Sequence, residues 1–220
     1  ISLALARNKA LSKVTGSFIA FLDVDDYWLN NKLLNQLSNM IKNNSNASYT
    51  NFYIKRNMFP VLTKYKKQKL SKNYVYKKFL KSYDVGFLTF MISTDLVKQY
   101  NLKFNPKFEI ISDFEFVMKI CKLTNLSVCN EPLGVYRVHN QNYSTLNTNK
   151  HILELKKWLK YQKIIGNIRK NTDLKNIYNK INILEYKDFL KSKRKMGKEK
   201  FNSLKFTEKF KTKIKTSIGY

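Results

Sequence analysis

Asp23-Val24-Asp25-Asp26 sets three carboxylates within four positions, and no other acidic side chain occurs in the first 60 residues. Gathering like charges costs repulsion that a bound cation relieves. Carboxylate oxygens suit Mg2+ or Mn2+, which hold few protein carboxylates and complete their shells with water and substrate phosphate. The cluster follows the apolar run Ser17–Leu22, which reads as a buried strand, and α/β sheets bind ligands beyond the carboxyl ends of their strands. A solvated turn with an N-cap Asp for the next helix uses the same residues, so the tetrapeptide alone leaves both readings open. Asp113 stands near the start of a helix expected over Ser112–Leu123. On position alone it serves equally as helix cap or general base. Arg137 and His139 alternate along an expected strand and so share one face. An ion pair or a phosphate contact would equally employ Arg137, and a hydrogen-bonded loop role suits His139.

The elements that must position these residues alternate. Helix is expected over Leu3–Val14, Asn31–Lys42, Thr94–Tyr100 and Ser112–Leu123, with Leu33, Leu34, Leu37 and Ile41 on one face of the second and Thr94 as N-cap of the third. Strands are expected over Ser17–Leu22, Ala47–Ile54, Phe87–Ile92, Leu126–Val128 and Val135–Val138, and Leu62–Tyr83 reads as loop then helix. This alternation argues for an α/β layered domain. Trp28 is expected to anchor the helix that follows it.

The chain has 220 residues, 43% hydrophobic and 14% aromatic. That composition supports a packed core and excludes a wholly disordered chain. Six Gly and three Pro exclude collagen and Pro-rich linkers. No run of 18 apolar residues occurs. Two cysteines, Cys121 and Cys129, are too few for a disulfide framework and are expected as reduced thiols. The net charge of +27 favours polyanionic partners, although joint richness in Lys, Asn, Ile, Phe and Tyr is also what A/T-rich coding produces. The charge is uneven: residues 1–150 carry 22 basic and 9 acidic side chains, net +13, whereas residues 151–220 carry 20 and 6, net +14. A boundary is therefore expected near 147–150, between a domain over 1–147 and a basic helical extension over 148–220.

Four ordered segments carry a family resemblance. Ala6-Arg7-Asn8-Lys9-Ala10-Leu11 with Gly16–Trp28, then Gly86–Ile92 followed by Thr94-Asp95-Leu96, then Ile111–Phe116, and lastly Glu131–His139 together resemble the inverting family-2 glycosyltransferases of the GT-A fold. The resemblance covers residues 1 to about 147. It implies a Rossmann-like nucleotide-diphospho-sugar transferase core lacking its first strands, and the opening on Ile1 fits a chain that starts inside a larger domain. It implies a nucleotide-sugar donor, a glycan or lipid-linked acceptor, and cell-surface polysaccharide or lipopolysaccharide synthesis. It further implies Asp26 as metal ligand with Asp25 assisting at metal or ribose, Asp23 orienting its neighbours, Asp113 as base, and Arg7, Arg137 and His139 near the nucleotide. Ser112 stands where the family usually has Glu.

Phe206, Phe210, Ile214 and Ile218 recur every four residues among lysines, as in a basic amphipathic helix suited to an anionic membrane face; packing back on the domain uses the same stripe. A cytoplasmic protein is expected, peripheral on the inner face of the membrane where the stripe serves that attachment. Two rivals stand beside the enzyme. One is a catalytically inactive remnant that binds membrane or partner. The other is a nucleic-acid binder, which lacks a recognition motif and leaves the clustered aspartates unexplained.

Overall fold

A computed structural model describes residues 1–56, 59–139, 141–165 and 174–201. The chain forms two compact units, divided after Asn142.

The first unit is a mixed sheet with helices around it. Its strands are β1 (Phe18–Ala20), β2 (Tyr27–Trp28), β3 (Ala47–Arg56), β4 (Phe59–Lys64), β5 (Met91–Ser93) and β6 (Leu126–Val138). They run in the order β1-β5-β3-β6-β2, with β4 also on β3. β3 and β6 are parallel and every other pairing is antiparallel. The helices are α1 (Leu3–Leu11), α2 (Lys32–Lys42), α3 (Tyr76–Lys81), α4 (Thr94–Gln99) and α5 (Ser112–Leu123). The α/β class expected from the alternation holds.

Four local expectations are corrected. The apolar run Phe87–Ile92 is a 3-10 turn over Phe87–Thr89 that leads into β5, and the basic Leu62–Tyr83 segment includes the end of β4 before α3. Ser93, not Thr94, caps α4, its hydroxyl accepting from the Leu96 N–H at 3.3 Å. The two short strands expected from 126 to 138 are one strand. It stays continuous because the register shifts where Asn51 faces Pro132, an N–H-less residue that strands tolerate at bulges, and Asn51 donates to the Asn130 and Lys66 carbonyls there.

α2 forms where it is expected and carries its four aliphatic side chains on one face. Its leucine face is turned to solvent, with Leu34 64% and Ile41 69% exposed, while Lys32, Gln36 and Met40 point inward. Gln36 donates to the Thr89 carbonyl at 2.8 Å. Lys32 is 2% exposed and its ammonium lies 4.2 Å from the Trp28 ring centre without a hydrogen-bond partner. Burial pulls its pKa down to about 8. The unfolded state therefore binds more protons above that value, and stability rises with pH through the window up to 10.5. Lys32→Met keeps the stem and removes the stranded charge. Thermal melts at neutral pH should show a gain on the order of 1–2 kcal/mol that fades near the ordinary lysine pKa.

The second unit holds α6 (Tyr143–Leu146), α7 (Thr148–Ile164) and α8 (Lys175–Phe201). α7 and α8 form a hairpin in which Leu155, Trp158, Leu159, Ile177 and Ile181 are buried and Lys156 pairs with Glu185 at 2.7 Å. Among the described residues no helix is long and apolar enough to cross a membrane. The amphipathic stripe from Phe206 to Ile218 lies outside the described residues.

Candidate active site

The aspartate cluster leaves β1 as a tight turn, the Asp26 N–H donating to the Asp23 carbonyl at 3.1 Å. β2 follows at once and pairs with Gly134 and Val135 of β6. A Cβ at Gly134 would lie 2.9 Å from Leu88 Cδ1, so the buried Leu88 tip would have to shift to admit one. Trp28 fixes the same corner by donating to the Leu88 carbonyl at 2.7 Å, and the helix that follows touches it through Lys32, whose ammonium lies over its ring.

This pairing lays the end of β6 across the aspartates. The Arg137 backbone N–H donates to Asp26 Oδ1 at 2.9 Å, and Arg137 Nε donates to the Asp25 carbonyl. His139 Nε2 lies 3.0 Å from Asp25 Oδ2, and Asn142 Nδ2 donates to that oxygen at 3.4 Å. Asn142 in turn accepts from the His139 N–H at 2.7 Å. Arg137 and His139 thus both reach Asp25. Asp26 is 8% exposed. Burial first, then the neighbouring Asp25 and Asp23 charges, push its pKa up to about 6 against the Arg137 N–H bond.

α1 connects this turn to the second acid. Arg7 donates to Asp23 Oδ1 and to Ser112 Oγ, each at 3.1 Å. Its guanidinium lies 4.7 Å from the Phe87 ring centre and 5.4 Å from that of Phe104. Asn8 holds Phe104 on both sides, donating to its carbonyl at 2.9 Å and accepting from its N–H at 2.8 Å. Phe21, Phe87, Phe104 and Phe116 stack and edge together beneath. Ser112, fully buried, opens α5 and also donates to the Glu109 carbonyl. The N-cap position belongs to Ile111. Asp113 therefore sits inside the first turn, its Oδ1 accepting from the Phe114 N–H at 2.7 Å. Glu115 faces Lys119 at 2.9 Å, a separate partnership.

Burial pushes the Tyr136 phenol pKa up, and the charges of Asp26, Asp25, Asp23 and Asp113 add in the same direction. Sequence reading assigned no role to Tyr136, Asn8, Ser112 or Asn142. Tyr136 and Asn8 lay within the matched segments, yet their contacts come from residues far along the chain.

Hard carboxylate oxygens around a buried, charge-crowded Asp26 fit a divalent cation. Among the described residues, no three His, Cys, Asp or Glu side chains converge on one point, so Asp26 and Asp25 would leave most of the shell to water and phosphate.

Residues 2–100 match the profile of Glycosyl transferase family 2. These residues belong to that family. The chain has curated relatives in bacteria. It is 38% identical over 125 residues to the Escherichia coli UDP-Glc:alpha-D-GlcNAc-diphosphoundecaprenol beta-1,3-glucosyltransferase WfgD, covering 57% of this chain and 46% of the relative. It is 30% identical over 162 residues to the Bacillus subtilis putative teichuronic acid biosynthesis glycosyltransferase TuaG, covering 73% and 61%. The chain thus spans about half the length of the curated relatives it matches. The crystal structure of S. aureus TarS 1-349 in complex with UDP-GlcNAc superposes with a TM-score of 0.55 at 15% identity, over 83% of this chain and 46% of that one. The UDP complex of the same protein gives 0.51 at 18%, over 70% and 45%. At these identities the likeness concerns the fold, which is the expected GT-A architecture.

Proposed function

We propose that this protein transfers a sugar from a nucleoside-diphosphate sugar to a hydroxyl of a glycan or lipid-linked acceptor, with inversion at the anomeric carbon. The observation that carries the reading is the Arg7 guanidinium, which donates to Asp23 of the aspartate turn and to Ser112, the residue before Asp113 at the start of α5, each at 3.1 Å. Transfer with inversion needs one base on the acceptor side and a leaving group stabilised on the other. Asp113 accepts the proton of the attacking hydroxyl. Asp26 and Asp25 would hold Mg2+ or Mn2+, which would supply charge neutralisation for a departing diphosphate. Arg137 and His139 hold the Asp25 side of the turn in place, and Arg7 keeps Asp23 and Ser112 together. The relatives' names support the substrate classes: WfgD uses a UDP-sugar and a diphosphoundecaprenol-linked acceptor. In this reading the protein works on the cytoplasmic side of the membrane, where a lipid-linked acceptor is met from solution.

The full-length protein should release nucleotide from one UDP-, GDP- or TDP-sugar in the presence of Mn2+ and a lipid-diphosphate-linked sugar acceptor. NMR of the product should show the anomeric configuration opposite to the donor's. Retention of configuration would remove Asp113 as sole base. Salt-sensitive DNA binding without Mn2+-dependent nucleotide binding would favour the nucleic-acid reading, and nucleotide binding without any transfer would favour the inactive remnant.

A further inference from the structure

Between Asp26 and Asp84 the sequence holds no acidic side chain and twelve basic ones, eight of them from Lys64 to Lys81. A coding bias toward lysine enriches the whole chain; it does not empty one stretch of acids. The fold gathers those eight. The Tyr65 hydroxyl donates to the Tyr83 carbonyl at 3.4 Å, and Lys66 pairs with the buried Asp84 at 2.5 Å. The chain from 65 to 84 is therefore a loop closed at its base, with α3 on the returning limb.

The loop backbone is pinned to the domain. The Tyr49 hydroxyl donates to the Ser71 carbonyl at 2.6 Å, the Leu70 N–H donates to Asn130 Oδ1 at 2.8 Å, and Asn73 exchanges two backbone bonds with Leu126. Leu70, Val75, Phe79 and Leu80 are buried beneath. The charges face outward. Lys64, Lys67, Lys69, Lys72, Lys77 and Lys78 are exposed and make no ion pair or hydrogen bond among the described residues. Holding cations together without acids costs repulsion, which an anionic partner relieves. A second feature says what kind of partner. Tyr74 stands among these lysines 79% exposed, more than any other aromatic side chain among the described residues. Tyrosine settles at the headgroup level of a bilayer, and clustered lysines are drawn to its anionic lipids.

We propose that the Lys64–Lys81 loop is the surface on which the protein docks to an anionic lipid bilayer, its lysines on the headgroups and Tyr74 in the interface. The choice of a bilayer over another polyanion rests on the transfer reading above, in which the acceptor is lipid-linked. The loop adjoins the helix that carries the base of that reading. The Tyr83 ring at its end meets Phe114, the neighbour of Asp113, edge-on at 4.9 Å. α3 packs on α5, and the Lys122 ammonium lies 4.8 Å from the Tyr76 ring centre. Docking through this loop therefore holds α5 near the lipid surface.

Sedimentation of the full-length protein with phosphatidylcholine vesicles should show binding only when phosphatidylglycerol is included. Lys72→Gln/Lys77→Gln/Lys78→Gln should weaken that binding about a hundredfold, since one lysine near an anionic surface is worth roughly fivefold. Lys9→Gln/Lys13→Gln/Lys98→Gln, an equal loss of charge on and beside α1 and α4, should change it less than about threefold, because charges held away from the surface are screened. Tyr74→Trp should gain fluorescence that brominated acyl chains quench, beyond any quenching in the parent. Vesicle binding indifferent to the three loop lysines, equal losses in the two triple variants, or no added quenching in Tyr74→Trp would each overturn the proposal. So would single-stranded DNA binding through the same lysines in a protein that ignores vesicles. Turnover on a short-chain, water-soluble acceptor tests the transfer reading apart, and the loop variant should keep it. Transfer with vesicle binding that ignores the loop removes the docking surface alone; loop-dependent vesicle binding without any transfer removes the reading and leaves the surface.

Discussion

Asp113→Asn in the full-length protein should lower turnover about a thousandfold, within the range general-base removal causes, while nucleotide affinity and melting temperature stay near those of the parent. Asparagine preserves volume and can still accept the Phe114 N–H that Asp113 Oδ1 accepts at 2.7 Å. What it loses is the capacity to take a proton. The competing account of Asp113 is a charge in the first turn of α5, where an acid favours the helix dipole. In that account the substitution costs stability by about 0.3–1 kcal/mol and leaves turnover alone. Two measurements, a rate and a melt, therefore separate them. Glu115 is the internal control, since it shares the first turn but is buried against Lys119. Glu115→Gln should leave the rate within a few-fold. Equal rate losses at both positions would show that disturbing α5, not removing a base, is what matters.

The site was legible in the sequence wherever charge was placed against the background. Three aspartates in an otherwise acid-free stretch of 60 residues announce themselves, because the chain could have placed them anywhere. The helices α1 and α5 and the central β3 were legible in the sequence. At α2 periodicity located the helix without telling which face is buried. The Leu33, Leu34, Leu37 and Ile41 stripe satisfies the helical repeat, yet the inward row is Lys32, Gln36 and Met40. There a cation over Trp28 and an amide on a backbone carbonyl take the places that a hydropathy pattern reserves for leucine. The supporting residues were illegible for a different reason. Asn8 acts on Phe104 and Arg7 on Ser112, separations of about a hundred residues that no local pattern encodes. Ser112 is the instructive case. As a departure from a family motif it looked like a loss, whereas in the fold its hydroxyl receives Arg7 and so joins α5 to the aspartate turn.

Asp26→Asn should make the protein more stable and less active at once. Asp26 is 8% exposed, with burial and its neighbours Asp25 and Asp23 lifting its pKa from 3.8 to about 6. The folded state then holds more protons than the unfolded state between those values, so stability falls as pH rises through that window. At neutral pH the ionised carboxylate costs on the order of 2–3 kcal/mol. Asparagine keeps an oxygen for the Arg137 N–H and carries no charge, so it removes that cost. The melting temperature at neutral pH should rise by roughly 5 °C; most of the gain should be lost by about pH 4 and the rest below about pH 3, where Asp26 is protonated in both states. Under the transfer reading the same change removes the best ligand for a divalent cation, and turnover should fall about a hundredfold or more. Mn2+ should stabilise the parent at neutral pH and leave the variant unmoved. A residue kept only for the fold would show the reverse pattern, a loss of stability with activity following it down. A stability gain that persists unchanged at pH 4, or full turnover in the variant, would mean that the crowding of charge at this turn serves neither a cation nor the reaction.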